Sequence, residues 1–504
     1  MEDIVIYSAV CLASFTLWRL VRSFFVPSPL SKVPGPPGAS PVTGHLQHIF
    51  GDDAWNFHEH LLDYGGVAKV NGLMNEEQLY ISDPVALNHI ILKGHESFEQ
   101  DTMILSMAPV IWGPAFAGLP GDHHKKQRKM LNPVFSVQHM RGLVPVLYPI
   151  AYELRDVFVK KIKSGQNVID VFHWTSLAAL EFIGRGGLGH AFDALNLYKK
   201  NEYNEYIKAA ISTMTSMAPV MALLPYIGNI GPAWFRRKIV DWTPSKTIHK
   251  LRDIVDVMHS TSVGIYRRKK AALEMGEDAL MSEVANGKDI MTILYAQAKL
   301  RKEVNDAREK YGGQDLDYDE LMSLPYLDAI CRETLRLHPP TGVVWREAVQ
   351  DTVLPMRHPM KLVGSKEEVT SLPLKKGTKV IISILNANRS KEIWGEDAAE
   401  WKPERWLNPL PDSVAKAKLP GVFSNMMTFV GGGRACIGFK FAELEMKMLL
   451  FVLLESFSFS IEDGMDITWS FKVIKQPSVV GADGKPGQKS ELPLRISLLP
   501  GTNF

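Results

Sequence analysis

Phe429-Val430-Gly431-Gly432-Gly433-Arg434-Ala435-Cys436-Ile437-Gly438 is the stretch that decides how this chain is read. Three consecutive glycines leave no Cβ to hold the backbone away from a flat partner. Cys436 stands just before Phe439 to Phe457, whose apolar spacing predicts a helix that is buried in its second half. A helix N-terminus favours an anion, so this placement biases the Cys436 thiol toward thiolate. No second cysteine or histidine lies nearby in sequence to complete a zinc site. A lone thiolate suits the single axial position of a haem iron, and Arg434 can pair with a haem propionate. The plain alternative is a buried structural cysteine after a glycine turn.

The rest of the chain sets the frame for that loop. Its 504 residues allow about three domains of roughly 150 residues, or one large one. Hydrophobic residues at 46% and charged residues at 22% exclude wholesale disorder. A net charge of +2 gives no electrostatic case for nucleic acid. Three cysteines, Cys11, Cys331 and Cys436, exclude a disulfide scaffold and favour a reducing compartment. Helical spacing runs through Leu143 to Lys163, with a break or kink expected at Pro149, and through Leu251 to Leu273. Strand-like pieces occur at Ala68–Val70, Gln78–Ser82 and Lys379–Ile384, with no βαβ rhythm. The expectation is a mainly α domain with small β-sheets. Gly184-Arg185-Gly186-Gly187-Leu188-Gly189 fits G-x-G-x-x-G, but its lead-in has helical rather than strand periodicity, so it reads as a helix end and turn. Phe57-His58-Glu59-His60 has the wrong spacing for a zinc motif and reads as a solvated face.

Ile4 to Trp18 carries no charge, and counted through Val26, with Arg19 and Arg22 snorkelling, it is long enough to span a membrane. Acidic residues precede it and Arg19, Arg22 and Lys32 follow, which predicts an anchor with the bulk of the protein in the cytosol, the alternatives being a signal peptide or a buried helix. Val33-Pro34-Gly35-Pro36-Pro37-Gly38 then reads as a stiff linker.

The ten residues from Phe429 to Gly438 match F-x-x-G-x-R-x-C-x-G, the haem-binding signature of the cytochromes P450, and the chain resembles that family over nearly its whole length. Glu333-Thr334-Leu335-Arg336 resembles the E-x-x-R of the family's K helix. Pro403-Glu404-Arg405-Trp406 resembles its P-E-R-F loop, with Trp for Phe. Val33 to Gly38 resembles the hinge of microsomal members, and the style is that of basidiomycete membrane-bound enzymes. Glu333 and Arg336 share a helix face, and Arg405 closes a structural triad in which every charge must be paired. Gly121 to Arg128 resembles the C-helix W-x-x-x-R motif, with His124 at the Trp position. The resemblance implies that His124, Arg128, Arg346 and Arg434 meet the propionates, with Phe429 and Gly432 framing the Cys436 loop. It divides the chain into an anchor at 1–26, a hinge at 27–41 and a haem-thiolate domain at 42–504. The cofactor implied is heme b, with electrons from NADPH through a reductase, and Lys125, Lys126 and Lys129 form either its docking face or a plain solvated helix face. The location implied is the endoplasmic reticulum membrane, single-pass.

One family element is missing. The I helix carries [AG]-G-x-[DE]-T-[TS], and no such motif occurs between Ala209 and Glu333. Thr261-Ser262 is the nearest pair, and basic residues follow it too closely for the middle of a buried apolar helix. Gly287 to Leu294 resembles the stretch before the I helix and Leu300 to Val304 the stretch after it. A deletion on the order of 50 residues near 295–300, enough for a helix of roughly 30 residues, follows from that juxtaposition. A skipped exon, an inactive product and a working enzyme with different oxygen chemistry all fit it. The activity implied is monooxygenation of a small hydrophobic substrate, a terpenoid or another secondary metabolite, with Met103–Trp112 and Ile211–Leu224 as candidate access segments or plain core. The alternatives are a non-catalytic haem binder and a haem-thiolate isomerase or peroxide user.

Overall fold

The computed structural model describes residues 30–499 except 52, 53, 114, 198–202, 204–212, 214–223, 229, 276–293, 463, 472, 473 and 488, together with residue 14. The expected membrane span therefore lies outside the described residues but for Ser14. Among the described residues no helix is long and apolar enough to cross a membrane.

Helices dominate. In chain order they include α1 (Ala54–His60), α2 (Thr102–Trp112), α3 (Gly121–Leu131), α4 (Val137–Lys163), α5 (Val171–Glu181), α6 (Ala233–Trp242), α7 (Lys246–Met275), α8 (Leu294–Lys310), α9 (Pro325–Leu337), α10 (Ile384–Arg389) and α11 (Phe439–Ser456). The strands are β1 (Val67–Asn71), β2 (Glu77–Ile81), β3 (Phe98–Gln100), β4 (Val168–Asp170), β5 (Val343–Ala348), β6 (Thr352–Lys361), β7 (Glu368–Leu374), β8 (Lys379–Ser383), β9 (Phe457–Ser460), β10 (Ile467–Ser470), β11 (Gln476–Val479) and β12 (Pro493–Leu498). The largest sheet has the order β1-β2-β8-β5-β3, and only its β2–β8 pair is parallel. The three strand-like pieces read from the sequence are its β1, β2 and β8.

Two cores result. One joins α4, α5, α8, α9 and α11 to the β4-β12-β9 sheet; the other lies under the β1-β2-β8-β5-β3 sheet. The cysteine loop sits between them, because Phe429, Val430 and Phe439 pack on the second core while Phe441 and Leu444 of α11 pack in the first.

Several expectations need correction. α4 runs unbroken through Pro145 and Pro149. A helix-interior proline costs about 3 kcal/mol. Leu147, Ile150, Leu154 and Phe158 of the same helix are fully buried, and each contributes about 1.5–3 kcal/mol, which outweighs that cost. His58 does not lie on a solvated face. It is buried, with Nδ1 2.6 Å from the Tyr80 hydroxyl and Nε2 3.2 Å from the Ile49 carbonyl, while His60 is exposed beside Asp63. The described part of the Pro-rich stretch does not stand free either. Leu30 and Val33 are buried, and the Lys69 amide of β1 donates to the Pro34 carbonyl at 2.8 Å. A side chain at Gly35 would meet that strand's Lys69 carbonyl oxygen at 1.9 Å.

Candidate active site

The cysteine loop is held by backbone contacts that explain two of its three glycines. A Cβ on Gly431 would lie 1.4 Å from the Pro420 carbonyl oxygen, and one on Gly432, at φ +63°, would lie 2.5 Å from that of Ile91. These two glycines answer to the protein's own backbone. Gly433 alone of the three opens onto free space and can admit a flat partner. Val430 is held at φ +54°, a strained conformation for a β-branched residue. The Cys436 amide donates to the Phe429 carbonyl at 2.9 Å, which closes the loop. The Phe429 ring packs edge-on against Phe423 at 5.5 Å.

Cys436 is exposed, yet the protein crowded around it pushes the thiol above its ordinary value; the Gly438 N–H and the Arg128 guanidinium pull the other way. The bias toward thiolate expected from the helix start is thus outweighed by desolvation in the protein alone. α11 begins only at Phe439, after a Gly438 cap, so its dipole acts at a distance.

Basic side chains from three elements converge beside this loop. α3 supplies His124 and Arg128, β5 supplies Arg346, and the loop itself supplies Arg434. Arg128 Nη1 donates to the Ala435 carbonyl at 2.6 Å, which ties α3 to the residue before Cys436. Burial, Arg434 and Arg128 together push His124 down to about 4, so it is a neutral imidazole at pH 7, stacked 4.8 Å from the Phe116 ring. Burial and then Arg434 lower Arg346 to about 10, and burial lowers Arg128. Burial is the first cause of each shift and the Arg434 charge adds to all three, as expected where cations gather with little counter-charge.

The carboxylate within the cluster is Glu99 of β3, which no sequence motif signals. It accepts from Arg434 Nη2 at 2.7 Å and from the Gly121 amide at 3.0 Å. Burial alone would raise its pKa, but the Gln100 and Gly121 amides and Arg434 hold it below the ordinary value. Arg128, Arg346 and Arg434 against Glu99 leave two surplus positive charges, which suits a group bearing two carboxylates. Arg434 Nη1 is buried with no partner among the described residues. An unsatisfied buried guanidinium donor is costly, and a propionate oxygen would satisfy it. The residues present therefore fit haem.

Behind the loop lies the triad. Glu333 and Arg336 of α9 are fully buried and Arg405 nearly so. Glu333 accepts from Arg336 Nε at 2.9 Å and Nη2 at 2.8 Å, from Arg405 Nε at 3.3 Å, from the Lys402 amide at 3.1 Å and from the Trp406 indole at 3.0 Å. Arg336 also donates to the carbonyls of Asn388, Ala398 and Glu400, and Arg405 donates to Asp397 and the Trp394 carbonyl.

The family model described as Cytochrome P450 matches residues 34–293 and 289–478. The chain belongs to the cytochrome P450 family. Its relatives include basidiomycete proteins. Cytochrome P450 monooxygenase 91 of Postia placenta is 39% identical over 100% of both chains. The ganoderic acid synthetase of Ganoderma lucidum is 33% identical over 99% of each, and a cytochrome P450 monooxygenase of Hericium erinaceus is 31% identical over 97% of each. The Postia alignment runs over 551 positions, 47 more than the 504 residues of this chain. The two family-model matches meet at residues 289–293.

Membership in the cytochromes P450 brings a haem cofactor and electrons from a redox partner. In this P450 the Trp that replaces the family's usual Phe at position 406 has a physical role, since its indole N–H serves the buried Glu333 carboxylate. Lys125, Lys126 and Lys129 are exposed on α3, on the same helix as the buried His124. Thr261 and Ser262 lie on α7, where the Ser262 hydroxyl is exposed and donates to the Met258 carbonyl at 2.8 Å. Of the access segments, Met103–Trp112 falls in α2, whose Ile111 packs against Leu224 and against Ile248 and Leu251 of α7. Residues 211–223 lie outside the described residues apart from Thr213.

Proposed function

We propose that this P450 is a haem-thiolate monooxygenase of fungal secondary metabolism, with heme b held by the Cys436 thiolate and its propionates held by His124, Arg128, Arg346 and Arg434. One observation carries this reading: beside Cys436 lies a cluster with two surplus positive charges, in which a buried guanidinium donor, Arg434 Nη1, has no partner among the described residues. When bound, haem supplies the iron centre at which dioxygen is cleaved, one atom entering the substrate and the other leaving as water. Cys436 would hold the iron through its thiolate and would supply electron density to it. Arg128 fixes the Ala435 carbonyl and so the approach of the cysteine. Neutral His124 offers a single N–H, while the arginines supply charge. The triad holds α9 and takes no part in the chemistry.

Electrons come from NADPH through a reductase docked on the basic face of α3. The apolar span at residues 4–26 anchors the chain in the endoplasmic reticulum with the haem domain in the cytosol. The substrate is small and hydrophobic, terpenoid-like; the relative named ganoderic acid synthetase supports secondary metabolism as the setting.

A second reading, a haem-binding product without oxygen activation, is favoured by specific observations. The family-model matches meet at 289–293, the Postia alignment exceeds this chain by 47 positions, and the nearest Thr-Ser pair lies on α7 with Ser262 exposed. That reading is the deletion of the I-helix segment near 295–300. The test is NADPH oxidation coupled to product formation in microsomes holding a reductase, with this chain beside one carrying the additional segment of its relatives. Turnover by both supports the monooxygenase reading of this chain. Turnover by the longer chain alone assigns the activity to that form.

A further inference from the structure

We infer that Glu99 is a positioning residue that sets both halves of the propionate cradle, aiming Arg434 with one carboxylate oxygen and clamping the start of α3 with the other. The inference rests on the haem reading above. Glu99 sits on β3, the edge strand of its sheet, where Gln100 is paired with Arg346, so strand register already brings it beside one cradle arginine. Its Oε1 accepts from Arg434 Nη2 at 2.7 Å, and the same Nη2 donates to the Leu119 carbonyl at 2.9 Å. A guanidinium is a rigid planar fork, so fixing Nη2 from two sides fixes the direction of the partnerless Nη1. Its Oε2 accepts from the Gly121 amide at 3.0 Å. That amide lies in the first turn of α3, where N–H groups have no intrahelical acceptor. Glu99 thus satisfies the helix that carries His124 and Arg128, and the charge near the helix start is the favourable one. It also limits the charge of the cluster. Without it the surplus would rise from two positive charges to three, no longer matched to a pair of carboxylates.

The test compares the full chain with E99Q and E99A. Oε1 accepts from both Arg434 Nη2 and the Gln100 amide, so glutamine keeps its oxygen on that side and turns its NH2 group against the Gly121 amide, which separates the two contacts. Three quantities are read: hydrogen exchange at Gly121 and at Cys436, transfer of haem to apomyoglobin, and the iron reduction potential. E99Q should speed Gly121 exchange about tenfold, leave exchange at Cys436 near the wild-type rate and speed haem loss less than E99A does, because a neutral oxygen still aims Arg434. Its potential should rise, because a negative charge has left the cradle; a purely structural residue would not move it. E99A should do the same at Gly121 and also speed exchange at Cys436 and haem loss about tenfold, because Arg434 then loses this acceptor altogether. Unchanged haem loss and potential in both variants would overturn the inference. If the wild-type chain takes up no haem, the haem reading fails on its own. The exchange measurements then still decide, and E99A exchange equal to wild type at both Gly121 and Cys436 overturns the positioning role.

Discussion

Glu333→Gln should be the most damaging conservative change in the scaffold. The side chain is fully buried and accepts five hydrogen bonds, three of them from two guanidiniums. Glutamine keeps the volume but removes the charge, and its NH2 group faces donors that it cannot serve. Arg336 would lose its carboxylate partner, and Arg405 would keep one carboxylate partner, Asp397, among the described residues. Breaking a buried pair by removing one partner costs about 3–5 kcal/mol. Against a total stability of about 5–15 kcal/mol, that lowers the folded-to-unfolded ratio by roughly two to three and a half orders of magnitude, at about 1.4 kcal/mol per tenfold. Tryptophan fluorescence during urea unfolding is a direct assay, because Trp401 donates to Thr334 and Trp406 to Glu333 itself. Asp319→Asn, which breaks the exposed Arg141–Asp319 pair on the surface, is the control and should shift the curve little. Equal unfolding free energies for E333Q and the control would refute the claim that this carboxylate holds the two arginines in place.

The same assay should show W406F losing about 1.5–3 kcal/mol, the value of a hydrogen bond to a charged group, because phenylalanine cannot donate to Glu333. G431A should lower the haem content of the purified chain, since its methyl group would collide with the Pro420 carbonyl, whereas G433A, with open space around it, should not. His58 is held at about 4 by burial, against 6.5 when unfolded. The unfolded chain then binds more protons between those values, so stability is full above pH 6.5 and is lost as pH falls toward 4, by about 3 kcal/mol at about 1.36 kcal/mol per unit. H58Q should remove that portion of the pH dependence of urea unfolding; an unchanged profile would show that His58 is not the group responsible.

Much of this P450 was legible because its chemistry is local in sequence. Phe429 to Gly438 carries its own glycines, arginine and cysteine, and Glu333 with Arg336 needs only helical spacing to be a pair. β1, β2 and β8 follow from alternation and β-branched residues. What escaped depends on contacts across the chain. Glu99 lies 335 positions from Arg434, and no local pattern distinguishes it from a solvated glutamate. His58 looked like a surface residue until Tyr80, 22 positions away, closed over it. Pro149 signalled a break that tertiary burial of its helix overrides. The glycine triplet was read as room for a flat partner, yet Gly431 and Gly432 are spoken for by Pro420 and Ile91, which only the fold brings close.

The central claim is that Cys436 and the cationic cradle around Arg434 form a haem-thiolate site, and the carbon-monoxide difference spectrum of the reduced 504-residue chain tests it most directly. The prediction is a thiolate-type Soret band in the wild type, its loss in C436S, and weakened haem retention in R434A with the band type unchanged. A wild-type spectrum without that band, in membranes where the intact chain is detected, would contradict the claim.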